Sequence, residues 1–188
     1  FLDELPHFNK NTLELLRSPM EDGQVNINRL SGNIMYPCRF MLIASMNPCP
    51  CGYYGDIEKE CKCTEQEKHR YLRKISGPLM DRIDIQIEVT PVKYEKLQVE
   101  NIKIESSEMI KQRVNMARKI QLKRYKEDKI YSNSQLTPKL VERYCKLDEE
   151  SKKILQYAFE KLHLSARAHV RILKVARTIA DLAEAKNI

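Results

Sequence analysis

The stretch MYPCRFMLIASMN, residues 35–47, decides the fold class. Its centre, FMLIASM at 40–46, is a continuous apolar run. Alternation of apolar and polar residues marks a strand with one wet face. A run without alternation marks a strand covered on both faces, the habit of parallel sheets packed between helices. The stretch therefore predicts a buried parallel strand. Upstream, QVNINRL at 24–30 does alternate, the period of a half-buried strand, and SGN at 31–33 is a turn. Residues 24–46 predict a hairpin feeding into a central strand.

Working outward, FLDEL at 1–5 reads as the end of another strand, stopped by Pro6. NKNTLELLRSPMEDG at 9–23 reads as one short helix, capped by Asn11 or Thr12 and closed by Pro19 and Gly23. Residues 47–74 are loop-like and carry cysteines, with a short basic helix near EQEKHRYLRKI. SGPLMDRIDIQIEV, from Ser76, predicts a helical turn and then an alternating strand. After a linker at 93–105 the character changes. SSEMIKQRVNMARKIQLKRY is a long helix with Ser106 or Ser107 as its cap. LTPKLVERYC, DEESKKILQYAFEKLH and SARAHVRILKVARTIADLAEA predict three more helices, with Pro138 suited to a first turn. The expected organisation is an α/β core piece at 1–92 and an all-α piece at 106–188.

The chain has 188 residues, 42% of them hydrophobic, enough for one or two small cored domains. It has no apolar run of about 18 residues, so no membrane span is expected. Acidic groups stand where a signal peptide would be basic, which predicts a cytoplasmic protein. The first residue is Phe and not Met, so a fragment of a longer protein is expected. The formal charge of +7 is compatible with a nucleic-acid partner and equally with an ordinary basic surface.

Several polar residues sit where chemistry needs them. FLDEL ends in adjacent carboxylates. In nucleotide hydrolases the first such acid holds the metal ion and the second polarises water, at the C-terminal edge of a strand. A solvated strand end is the plainer reading of Asp3 and Glu4. Asn47 ends the next apolar run, where an amide can position the lytic water beside Glu4 or merely turn the chain before Pro48. Arg82 suits a transferring phosphoryl group, or an ordinary ion pair with Asp81 or Asp84. Arg167 opens the last helix with Arg171 four residues on, a phosphate-favouring arrangement or a basic surface stripe.

Four of the six cysteines cluster as Cys49-x-Cys51 and Cys61-x-Cys63. Four thiolates are the number that a closed tetrahedral zinc site needs. The alternative is reduced thiols in a mobile loop. Zinc is preferred to an iron–sulfur cluster because no cluster-ligand run is present. The loop is too polar to order itself by burial, so the metal is expected to be structural. His69 is a possible substitute ligand.

FLDELPHF, YPCRFMLIASMNPCPCGYYGD, ISGPLMDRIDI and LSARAHVRILKVARTIADL occur here in that order. Together they resemble the C-terminal portion of the magnesium chelatase-like AAA+ ATPases of the ComM/YifB type, over essentially the whole chain. The resemblance implies part of an AAA+ P-loop core, a parallel sheet with a hairpin before sensor 1, followed by a helical lid. It implies that Asp3 and Glu4 are Walker B acids binding ATP and Mg2+, with Asp3 at the magnesium ion. It makes Asn47 sensor 1, Arg82 the arginine finger reaching a neighbouring subunit's nucleotide, and Arg167 sensor 2. The hairpin at 24–40 becomes the insertion that points into the pore of related rings. Arg29 and Arg39 are then candidate DNA contacts.

Two departures stand out. His7 replaces the usual Glu just beyond the acid pair, where no direct effect on hydrolysis is expected. None of the five glycines sits in G-x-x-x-x-G-K-[ST], so the phosphate cradle is absent and this chain alone should not hydrolyse ATP. The resemblance implies an ATP-driven, hexameric, homo-oligomeric ring whose ATP sites are shared between subunits. Such a ring acts on DNA as a helicase promoting branch migration in natural transformation. The alternatives are the ATPase subunit of a magnesium chelatase and a zinc-stabilised interaction module. The long MNPCPCGYYGD…CKC segment favours the motor.

Overall fold

The apolar run pairs with the first residues of the chain. Leu2 N–H donates to the Ile43 carbonyl at 2.9 Å, and Ser45 N–H donates to the Leu2 carbonyl at 3.0 Å, forming a parallel bridge between Leu2 and Ala44. Leu5 N–H extends the contact by donating to the Ser45 carbonyl at 2.9 Å. The computed structural model describes residues 1–30, 32–90 and 105–188. Among these residues the parallel sheet expected around 1–5 and 35–47 is not formed beyond this bridge. A central strand needs a ladder on both edges, and this run has a partner on one. Met41 accordingly stays 80% exposed. The strand expected after SGPLMD is also missing: Ile85, Ile87 and Val89 alternate but stand exposed with no neighbouring ladder.

The chain divides into two units, Phe1–Leu97 and Gln98–Ile188. All but Glu105 of the expected linker lies outside the described residues.

In the first unit, α1 (Lys10–Leu15) and α2 (Arg17–Asp22) replace the single helix expected there. Pro19 has no N–H to offer the Leu15 carbonyl, and its ring crowds that carbonyl, so the helix breaks between them. Asn9, not Asn11 or Thr12, is the cap, its side chain accepting from Asn11 N–H at 2.9 Å. Gly23 ends α2 at φ 66°, a left-handed position that glycine takes without steric cost. The hairpin forms as expected. β1 (Gln24–Arg29) and β2 (Gly32–Pro37) are antiparallel, with Gln24 opposite Pro37 and Arg29 opposite Gly32. The half-burial expected from its alternation is not realised, because all of β2 is exposed.

The loop after Asn47 carries α3 (Glu65–Leu72), and α4 (Gly77–Met80) follows. Thr64 and Glu67 cap α3 reciprocally, side chain to backbone in both directions. Leu5, Leu13, Ile75 and Leu79 form the core of this unit. They clamp the acidic segment at the chain's start against α1 and α4.

Among the described residues the second unit carries only helices, as expected for 106–188: α5 (Ser107–Arg124), α6 (Pro138–Tyr144), α7 (Glu149–Leu162) and α8 (Ala166–Leu182). Ser106, Asp148 and Ser165 cap three of them through side-chain oxygens. Tyr125, Leu136, Val141, Cys145 and Leu173 make its apolar core. Beside that core lies a buried ionic knot. Asp181, fully buried, accepts from both Arg124 guanidinium nitrogens at 2.9 and 2.5 Å, from Arg177 Nε at 3.1 Å and from Asn133 Nδ2 at 2.9 Å. Tyr125 O–H donates to Asn133 Oδ1 at 2.6 Å, so the knot joins α5, α8 and the turn at Asn133–Gln135.

Burial alone would raise the Asp181 pKa, but the hydrogen bonds from Arg124 and Asn133 outweigh it and hold the carboxyl below its ordinary value. Its stabilising contribution is therefore present above about pH 4 and is lost as pH falls through the depressed folded pKa. Asp181→Ala takes the carboxylate from the buried Arg177 and the half-buried Arg124 and should cost about 3 kcal/mol in urea unfolding followed by circular dichroism. A loss under about 1 kcal/mol would mean that the knot does not hold the helices together.

Candidate functional site

Parallel strands leave a sheet at the same edge, and that is how the first site is built. The Leu2–Ala44 pairing sets Asp3 beside Ser45, whose hydroxyl donates to Asp3 Oδ1. The same oxygen accepts from Glu4 N–H at 3.1 Å. Among the described residues no hydrogen bond falls on Asp3 Oδ2. Glu4 then turns the chain out of the strand at φ 52°, a left-handed conformation uncommon outside glycine. The turn Leu5–His7 follows, with Leu5 and Pro6 buried. Both carboxylates are exposed at the edge of the unit.

Asn47 lies two residues beyond Ser45 on the neighbouring segment and is also exposed. The pairing thus brings Asp3, Glu4 and Asn47 to one edge. A residue that the sequence did not single out ties that edge together. Tyr71 of α3 is 5% exposed. Burial raises its phenol pKa, the Asn47 backbone opposes the rise, and the charges of Glu4 and Cys49 add to it. The phenol therefore feels the strand end at Asn47, the acid and the cysteine loop. Tyr71 and Leu72 are the only apolar residues of this polar helix, so no periodicity signalled its burial.

His7 also comes closer than expected. Its Nδ1 lies 3.8 Å from Glu4 Oε2, and its ring meets Tyr71 edge-on with centroids 6.4 Å apart. The replacement just beyond the acid pair touches the second acid.

Arg82, at the end of α4, is held within its own unit. It donates to the Pro78 carbonyl at 2.6 Å and pairs with Glu21 of α2. The pairing with Glu21 spans 61 positions, which no reading of neighbouring carboxylates anticipates. Arg167 lies in the second unit, exposed in the first turn of α8, with Arg171 one turn on. Arg29 ends β1 and is exposed, whereas Arg39 lies over Gly23, its Cγ 3.3 Å from where a Cβ would sit.

The cysteines converge. Cys49 Sγ is 3.4 Å from that of Cys51 and 3.7 Å from that of Cys61, with 3.6 Å between Cys51 and Cys61. All four sulfurs, Cys63 included, lie within 4.8 Å of one another. These are not disulfide distances, which are about 2.05 Å. A tetrahedron with metal–sulfur bonds of about 2.3 Å has sulfur–sulfur edges of about 3.8 Å. The four thiols are so placed that they could hold a metal ion together, and His69 is not part of this group. The Tyr53 backbone N–H pulls the Cys51 thiol down to about 6 against the effect of burial, while burial pushes Cys63 up to about 12. A bound divalent cation would favour the thiolate form of all four, since only deprotonated cysteine ligates.

Residues 1–97 match the family model described as magnesium chelatase, subunit ChlI, and residues 104–188 match that of the ChlI C-terminal region. Over 182 residues the chain is 42% identical to the competence protein ComM of Haemophilus influenzae, covering 97% of this chain and 35% of ComM. It is as similar to YifB of Escherichia coli, 42% over 182 residues with the same coverage. Rv2897c of Mycobacterium tuberculosis is 34% identical over 183 residues, covering 97% of this chain and 36% of Rv2897c. The chain spans about a third of the length of these curated relatives.

Proposed function

The chain belongs to the magnesium chelatase subunit ChlI family, and from that starting point we propose that it is part of an ATP-hydrolysing AAA+ ring motor acting on DNA. The motor is a cytoplasmic, hexameric helicase that promotes branch migration in natural transformation and recombination. The observation that carries this reading is the parallel pairing of Leu2 with Ala44, which collects Asp3, Glu4 and Asn47 at one strand edge. A relative bearing the name competence protein supports the biological setting.

In this reading Asp3 would hold Mg2+ together with ATP, and its Oδ2 is the donor left for it. Glu4 polarises the attacking water and Asn47 orients it. Arg82 reaches a neighbouring subunit's nucleotide, and Arg167 contacts phosphate from the lid. The core piece 1–92 and the lid 106–188 are the working divisions, joined by the linker at 93–105. The β/γ-phosphate cradle is not in this sequence, so the chain by itself does not turn over ATP.

The four cysteines would hold Zn2+ as a structural ion, since their spacing fits a closed tetrahedron. Purified protein should carry about one zinc per chain by metal analysis, by the four-thiolate count. Chelation should lower helical content as α3 loses its anchor. A metal-free chain with α3 intact would remove zinc from the account.

The magnesium chelatase reading, in which ATP hydrolysis drives metal insertion into a tetrapyrrole, is kept by the family description alone. The whole protein decides between them. Strand displacement on branched DNA, dependent on ATP, is the expected result. Metal insertion into a tetrapyrrole without any action on DNA would overturn the motor. A whole protein that hydrolyses no ATP would leave a zinc-stabilised interaction module.

A further inference from the structure

We infer that the first unit binds a single nucleic-acid strand in a basic cleft between α3 and the turn at Leu5–His7. The cleft has a volume of about 800 Å³. Gln66, Arg70 and Arg73 line one wall at spacings of four and three, the spacing of one helix face. Lys74 continues that wall, and His7 and Lys10 form the opposite one. No acidic residue lines the cleft. Among the described residues no carboxylate forms a salt bridge with Lys10, Arg70, Arg73 or Lys74. Four such cations held together repel one another, and a polyanion relieves that repulsion.

The walls are fixed. The edge-on contact of His7 with the buried Tyr71 ties the turn to α3. The capping box at Thr64, directly after Cys63, fixes the start of α3 to the cysteine cluster. A flexible basic tail would order only on binding, but this surface is presented ready made. Phe8 lines the same cleft and is 39% exposed. A charged groove flanked by an exposed aromatic ring is how proteins hold unpaired strands, through phosphate contacts and base stacking.

The inference rests on the proposed DNA-acting motor only for the identity of the polyanion. The test is fluorescence anisotropy of this chain with labelled oligothymidine at several salt concentrations. R70A/R73A is expected to weaken binding at least about tenfold and to flatten the salt slope by about 1.4, two phosphates at about 0.7 each. R70K/R73K should keep the slope, which separates charge from fold. Phe8→Ala should weaken binding with the slope unchanged. Unchanged affinity and slope in R70A/R73A would overturn the cleft. Loss of binding in R29A/R39A alone would do the same, while leaving DNA as the motor's substrate. Tighter binding of the matched duplex, or displacement of the strand by ATP, would overturn the single-strand assignment.

Discussion

Glu4→Gln in the whole protein should leave ATP bound and unhydrolysed, with turnover down about 10²–10⁴-fold, the range for loss of a positioned general base. The amide keeps the shape of the carboxylate and loses its basicity. Asp3, with its bond from the Ser45 hydroxyl, keeps the metal position, so nucleotide affinity should change little. The measurement pairs steady-state phosphate release with binding of a fluorescent ATP analogue. Turnover within about threefold of wild type, far below that range, would remove Glu4 from its role. His7 refines the expectation. It touches Glu4, so His7→Ala should lower turnover without abolishing it.

Arg82→Ala should lower turnover by about 10³-fold or more, the contribution of an arginine finger to phosphoryl transfer. Arg82→Lys should not restore it, because an ammonium lacks the planar fork of donors. A finger acting between subunits has a further signature. Arg82→Ala subunits mixed with Glu4→Gln subunits should recover part of the activity, since some junctions then combine an intact acid with an intact arginine. Absence of recovery at every ratio would place Arg82 outside the neighbouring site. The pairing with Glu21 makes a structural effect small: the pair is partly exposed, and its loss should cost about 1 kcal/mol or less. Thermal melting of the variant separates that small loss from a large kinetic one.

Much of the local structure was legible. Ser106 and Ser165 sit before helices with the spacing that side-chain caps require, and Pro138 marks a first turn. SGN between an alternating segment and an apolar run marks the hairpin. The Cys-x-Cys pairs announce four donors. Each signal is complete within one turn of chain, so sequence carries it. The errors share the opposite cause. The apolar run at 40–46 and the alternation at 83–89 state a preference for strand, but a strand exists only when another backbone offers its hydrogen bonds. Pro19 split a helix that its neighbours favoured, because the missing N–H and the ring act on the preceding turn.

The sequence by itself determined the helical character of 106–188, the presence of the hairpin, the clustering of four cysteines and, through four ordered motifs, the family. Only the tertiary structure decided that Asp3 lies beside Ser45 across 42 positions, that Arg82 is held by Glu21 across 61, and that Asp181 gathers Arg124 across 57. It alone buried Tyr71 with its ring against His7, and opened the basic cleft beside them. Periodicity and spacing report contacts within a few residues. Pairings between distant segments depend on how whole elements bury their apolar faces, and no local pattern encodes that.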